Sequence, residues 1–322
     1  MKNLMLLAGL LAETQVTPRH DLIALANAAS FSDTFFSEGL SAYAAGWRDP
    51  SNIELELDFL FPPVQVGRRF EFRKASEKDD FMTESDDVRE PGADFKAVKA
   101  SGTIVQSKTL NKGLVTFVDA DEVADLEVAL QQRTAYLLRR IQRNELRRGV
   151  TAYLAAAAND AKGWDSKADP DADLLGMLQT AGDLMGFNPN RIYIGAPAWT
   201  KRILALRAQA TAGAFGTSMF TPEQVAAFLN IDRMLVSRAR YQNTAAAKAA
   251  VMGSYVLAFY AEDGLSAEDS SHGKRFWSPV AGGGKYRVYR QVMSEKLTKV
   301  AVEHYSNVVV TSTTGLRKLT IS

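Results

Sequence analysis

The segment from Asp119 to Asn159 carries one long helical pattern, and it follows directly on a long charged segment, Gly67 to Lys112. Val123, Leu126, Leu130, Leu137 and Ile141 recur at three-four spacing and make one apolar face. Val150, Tyr153, Leu154 and Ala157 continue it. At 1.5 Å per residue, about 36 residues span roughly 54 Å, more than a small domain needs. Asp119 supplies a start signal, with Glu122 three residues later as in a capping box and acids matched to the helix N-terminus. Gly149 marks where such a helix would bend or break. The opposite face carries Arg133, Arg139, Arg140, Arg143, Arg147 and Arg148. That face reads either as a basic surface for a neighbour's acids or a polyanion, or as a solvated helix side.

The charged segment has the pattern of an arm. After Phe61-Pro62-Pro63, Val64 to Lys74 alternates as a strand does. Ala75 to Lys99 is mostly charged or small, with Pro91-Gly92 as a turn signal, and Gly102 to Leu110 returns as a second strand. A long connection inside a compact domain is functional or mobile, and a disordered surface loop is the other reading. An arm laid on the next copy, with a stiff helix holding its angle, suits a shell-building subunit. Arg68, Arg69, Arg73, Lys74 and Lys78 in the arm, with Arg139 and Arg143 on the helix, are the predicted intersubunit contacts.

With 322 residues there is room for two domains. Hydrophobic content of 46% and charged content of 23% are ordinary globular values. A net charge of +1 argues against a dedicated nucleic-acid binder, though not against a container of nucleic acid. The absence of cysteine excludes disulfides, thiolate nucleophiles, zinc-thiolate sites and iron–sulfur clusters. Lys2 and the apolar run Leu4 to Ala12 resemble a weak signal peptide, but Glu13-Thr14 follows without a small-x-small cleavage site, so an arm that docks on protein is the expectation. No run reaches the roughly 18 apolar residues of a membrane span.

Residues 1–60 read as an N-terminal arm with a short helix over Asp21 to Ala29 and an aromatic stripe, Phe31, Phe35, Phe36, Leu40 and Tyr43, as suited to an ordinary core as to a subunit contact. Beyond Trp164 the pattern shortens. Helices are expected over Ala172–Met185, Ala198–Ala210 and from Thr221-Pro222-Glu223 to near Asn230, with Gly213–Ser218 as loop. Strands are expected over Arg191–Ile194, Arg233–Ser237, Val251–Tyr260, Lys285–Met293, Lys299–Thr313 and after Gly315. The mixture points to an α+β fold.

Catalytic patterns fail on spacing. Gly282-Gly283-Gly284-Lys285 has Pro279 and Tyr286 where a phosphate loop needs glycine and a hydroxyl. Asp169-Pro170-Asp171-Ala172-Asp173 has Leu174 and Thr180 where a calcium loop needs glycine and glutamate, so capping by Asp171 or Asp173 explains the acids more simply. His20, His272 and His304 form no zinc-protease motif, and no Gly-x-Ser-x-Gly elbow occurs. No catalytic residue, cofactor or metal is expected.

Val118-Asp-Ala-Asp-Glu-Val-Ala-Asp125, Arg143-Asn-Glu-Leu-Arg-Arg148 and the Ala155 to Ala158 run resemble the spine-helix region of tailed-phage and prophage major capsid proteins. Asn188-Pro-Asn-Arg-Ile-Tyr-Ile-Gly195, Thr221-Pro-Glu-Gln-Val-Ala-Ala-Phe-Leu229, Asp232-Arg-Met-Leu-Val-Ser-Arg-Ala-Arg-Tyr241 and Tyr305-Ser-Asn-Val-Val-Val-Thr-Ser312 are similar in the same order. The resemblance covers roughly residues 60–322 and implies the Hong Kong 97-like capsid fold. It divides the chain into an arm at 1–60, an extended loop at 65–112, a peripheral domain at 113–162 and about 296–310 with the spine helix, and an axial domain at 163–295 with 311–322 as a closing strand. It also implies hexamers and pentamers of one chain in an icosahedral virion shell around double-stranded DNA, bound without sequence specificity. Assembly would occur in the host bacterial cytoplasm, with a separate scaffolding protein, a portal and a decoration protein as partners and no membrane. Some relatives cross-link a loop lysine to an asparagine; Lys74 and Lys78 lie in the loop, but no motif marks them. A nanocompartment of the same fold enclosing cargo enzymes, a cytoplasmic α+β enzyme, and a phage tail or decoration protein are the alternatives.

Overall fold

Two five-stranded sheets are joined through one long helix. In the computed structural model, residues 33–75, 89, 91–92, 94, 102–209, 211–242, 244, 246–264 and 269–322 are described. The helix expected over 21–29, Phe31, His20 and Lys78 lie outside them.

The described chain opens with a 3-10 turn, Asp33–Phe35, and helix α1, Glu38–Gly46, whose Ser37 cap accepts from the Leu40 amide. Helix α2, Ile53–Leu60, buries Ile53, Leu57, Phe59 and Leu60. The strand expected over Val64–Lys74 is two strands: β1, Pro63–Gln65, and β2, Arg69–Ala75. They belong to different sheets, and the chain turns between them at Val66-Gly67-Arg68. Strand β2 pairs antiparallel with β3, Gly102–Lys108, and the pair forms a sheet of its own. After Thr109 the chain continues as β4, Leu110–Asp119.

Helix α3 runs Leu126–Ala156, 31 residues or about 46 Å. It starts later than the sequence suggests. Asp119 caps only a 3-10 turn, Ala120–Glu122, through the Asp121 amide. The N-cap of α3 is Asp125, whose carboxylate accepts from the Glu127 and Val128 amides at 2.9 and 3.2 Å. The expected apolar face is buried at Leu130, Leu137, Ile141, Val150 and Tyr153. Gly149 does not end the helix. It lets Phe61 approach: a Cβ there would stand 2.6 Å from the Phe61 ring, which stacks on Tyr153 at 4.2 Å between centroids.

Beyond α3, Ala158–Lys162 is a strand, β5, rather than further helix. Helix α4, Pro170–Met185, and strand β6, Arg191–Gly195, follow. Next come α5, Ala196–Ala208, and α6, Ala212–Ser218. The latter replaces the expected loop, because Thr211 caps it through the Ala214 amide. Helix α7, Pro222–Phe228, carries the full capping box between Thr221 and Gln224. Strands β7, Arg233–Ser237, β8, Arg240–Gln242, β9, Lys248–Ala250, and β10, Tyr255–Phe259, lead to β11, Gly273–Ser278. The chain closes with β12, Tyr286–Val292, β13, Leu297–Val310, and β14, Arg317–Ile321.

In the first sheet β13 is central. One edge pairs with β4 over residues 297–306; the other pairs with β12 over 298–304 and with β11 over 305–310. Strand β1 adds parallel to β11. Strands β11 and β12, grouped by sequence with the axial residues 163–295, therefore lie in the sheet that β4 and α3 flank. The second sheet has the order β5-β14-β10-β6-β7. Its core holds Leu174, Leu178, Ile192, Ile194, Val225 and Val256. A second core places α2 and Phe61 against Leu146, Val150 and Tyr153, and a third places Leu40 and Ala44 of α1 against Leu130, Leu137 and Val300. Leu40, Ala44, Ile53, Leu57, Phe59, Leu60 and Phe61 thus pack in cores of their own chain.

Gly149→Val is expected to lose about 1–3 kcal/mol through overpacking on Phe61. Gly176→Ala, exposed in α4 with nothing near its missing Cβ, is expected to gain about 0.5–1 kcal/mol from helix propensity. Urea unfolding midpoints of the two variants check both signs.

Candidate functional site

The arm strands and the long helix are held by one buried cluster of charge. Glu145 of α3 is wholly buried. Lys112 of β4 donates to its Oε1 at 2.9 Å, and Ser306 of β13 makes a short hydrogen bond to the same oxygen. Arg275 of β11 stands 3.9 Å and His304 of β13 3.8 Å from its Oε2. Arg275 also reaches Asp58 of α2 at 2.6 Å and Glu54 at 3.8 Å, and Glu54 pairs closely with Lys285. Three carboxylates thus face three permanent cations, drawn from α2, α3, β4, β11 and the turn before β12. Gly282 and Gly283, both at positive φ, shape that turn, so the glycine run delivers Lys285 into the cluster instead of binding phosphate.

Burial opposes the charge of Glu145, but the His304 ring, Lys112 and Arg275 outweigh it and hold the carboxyl well below the usual range. Burial lowers Lys112 and Lys285 and raises Asp58. The lowered Glu145 value makes its stabilisation full above the unfolded carboxylate pKa and lost as pH falls toward the folded one.

The predicted contact residues divide. Arg68 lies 4.0 Å over the Tyr305 ring, so it fastens the base of the arm to β13. Arg69 is exposed on β2 opposite Lys108. Arg73 and Lys74 lie further out on β2, opposite Ile104 and Thr103. Arg139 is engaged within its own chain: its Nε pairs with buried Asp49 at 3.2 Å and its guanidinium faces Trp47 at 5.9 Å. Arg143 is exposed. The base of the arm is anchored by Phe70 and Phe72 on Phe276 of β11, with centroids 4.4 and 5.6 Å apart, and by Asn307 donating to the Lys108 carbonyl.

The acids of Asp169–Asp173 are all committed. Asp169 is the cap of α4; Asp171 holds the fully buried Arg202 of α5 in a two-point pair at 2.7 and 2.9 Å. Asp173 meets Lys162 and the Trp164 indole at 3.0 Å each. His272 bonds to the Tyr260 amide and the Thr314 carbonyl, a structural role. Among the described residues no group of three or more His, Asp or Glu side chains could hold a metal.

Glu145→Gln is expected to destabilise the fold by about 3–5 kcal/mol at neutral pH, because Lys112 would stay buried without its carboxylate. The gap from the wild type should narrow below about pH 4, as the wild-type network begins to take up protons. Urea titrations at pH 7 and pH 3.5 measure both.

No protein-family model and no curated protein sequence matches the chain. Solved structures do. A phage-related protein from Bordetella bronchiseptica RB50 superposes with a TM-score of 0.67 at 16% identity, over 88% of this chain and 96% of that one. The capsid of a native GTA particle gives 0.53 at 12%, over 86% and 91%. A protein described as a prophage capsid protein from Escherichia coli CFT073 gives 0.50 at 12%, over 89% and 99%. Spanning nearly the whole of these chains, with an extended two-stranded arm, a long helix and two sheets, this protein has the Hong Kong 97-like fold of phage capsid proteins.

Proposed function

We propose that the chain is a structural subunit, without catalytic function, of a phage capsid shell. It assembles head to tail as hexamers and pentamers around double-stranded DNA. The observation that carries this reading is the arm: β2 and β3 pair with each other in a sheet separate from the two main ones, on a base riveted to β11 and β13. A rigidly based, outward arm gives each copy a second surface to lay on a neighbour. Head-to-tail contacts that close make a shell, and many modest contacts act together.

In this reading residues 1–60 form the arm at the N-terminus and 65–112 the extended loop. The sheet of β4, β11, β12 and β13 with α3 forms the peripheral part, and the sheet of β5, β6, β7, β10 and β14 the axial part. A scaffolding protein, a portal and a decoration protein complete the particle, which forms in the bacterial cytoplasm. No helix among the described residues is long and apolar enough to cross a membrane.

Electron microscopy of the concentrated full chain, alone and coexpressed with its neighbouring genes, tests the proposal. Closed shells of uniform diameter support it, and protein cargo in place of nucleic acid would mark a nanocompartment. Small oligomers under both conditions would overturn it. Replacing Arg68, Arg69 and Arg73 by Gln together is expected to reduce shell yield sharply. Stability should fall by only about 0.5–1 kcal/mol, from the lost Arg68–Tyr305 contact. Particle counts and thermal melting separate the two effects.

A further inference from the structure

The long helix carries a second charged surface, exposed in the single chain. Arg133, Arg140, Arg143, Arg147 and Arg148 are exposed along one side of α3, over about 22 Å of its axis. Among the described residues none of the five forms an ion pair; the helix's two acids, Glu127 and Glu145, are taken by Arg290 and by the buried cluster. Arg140 donates to the Tyr136 hydroxyl at 2.9 Å and Arg147 lies 4.0 Å over the Tyr241 ring, contacts that hold a guanidinium without neutralising it. Among the described residues Arg133, Arg143 and Arg148 have no such contact. Like charges three and four residues apart on a helix repel, so this face gains when an anion covers it.

We propose that this arginine stripe is a docking surface for double-stranded nucleic acid, read through its phosphates and not its bases. The composition of the face favours nucleic acid over a second copy of the chain. Tyr136 is the large apolar side chain exposed between Arg133 and Arg148, with Gln132 and Asn144 among the other exposed residues. Protein interfaces need an apolar, charge-depleted centre, whereas nucleic-acid interfaces are polar and strongly positive. Arginine also matches phosphate with a planar fork of donors. The stripe is local, so a net charge of +1 leaves the rest of the surface without strong attraction. The place of the duplex inside a shell rests on the capsid reading; the binding itself does not.

The test uses the full chain before assembly, with a random-sequence 30-base-pair duplex and fluorescence anisotropy across a salt series. Five phosphate contacts give a slope of log K against log salt of about −4.5, and the triple variant R133Q/R140Q/R148Q, retaining two, about −1.8. The expected result is that fall in slope, at least tenfold weaker binding at low salt, and unchanged melting and shell formation. Absent duplex binding, or a variant slope equal to the wild type, overturns the proposal while leaving the shell reading intact. Loss of shells with unchanged duplex binding overturns it in favour of a contact between copies.

Discussion

The Glu145 carboxylate, sealed between a helix and a sheet, is the interaction on which the arrangement of the parts depends. Its partners come from β4, β11 and β13, and through Arg275 the cluster extends to Asp58 and Glu54 on α2. Buried charge is weak evidence for stability, since apolar residues of similar volume can do as well. Its geometric consequence is firmer: each charge is satisfied only when helix, sheet and the α2 segment stand in one register. Because the arm of β2 and β3 rests on β11 and β13, that register sets the angle of the arm. The rivets at the arm's base, Arg68 on Tyr305 and Phe70 on Phe276, land on the strands that carry His304 and Arg275.

The second sheet uses another device for the same end. Arg202 is wholly buried, and the two-point pair with Asp171 joins α5 to α4. Glu56 of α2 accepts from Tyr193 and Ser237 at 2.6 and 3.0 Å, and burial raises its carboxyl. Strands β6 and β7 are thereby tied to the same α2 segment that feeds the ion cluster. One short helix thus ties both sheets together, and the end of the stretch read from sequence as an N-terminal arm packs in the core from Ile53 onward.

What was legible in the sequence was local. The capping box of α7, the turn before β6 and the apolar face of α3 appear as read, because each rests on neighbours within a few residues. Asp119 and Asp125 offer equal capping chemistry, and β13 decides between them by drawing Asp119 into its ladder opposite Leu297. The charge-rich β11 was missed for a tertiary reason. Lys274 is satisfied by the Glu262 and Gly264 carbonyls and Asp269, and the charge of Arg275 is balanced by acids from two helices. No local pattern announces a buried cation whose partners lie far along the chain. The ion cluster was invisible for the same reason, spread from Glu54 to Ser306. Gly149 misled because helix propensity speaks only of the backbone, while its role is to make room for Phe61.

The positions of β13 and β14 have a further consequence. Residues 297–310 supply the strand that β4, β11 and β12 all require, and residues 317–321 fill the place between β5 and β10. Both sheets are therefore left open along their middles until this downstream stretch is made. Sheets joined by contacts so distant in sequence form late, and during synthesis upstream segments emerge first. A nascent chain on the ribosome can carry the long helix and the arm, yet it lacks the frame that aims them. The frame closes only when residues 297–321 have joined it, so the helix and the arm take their final angle last.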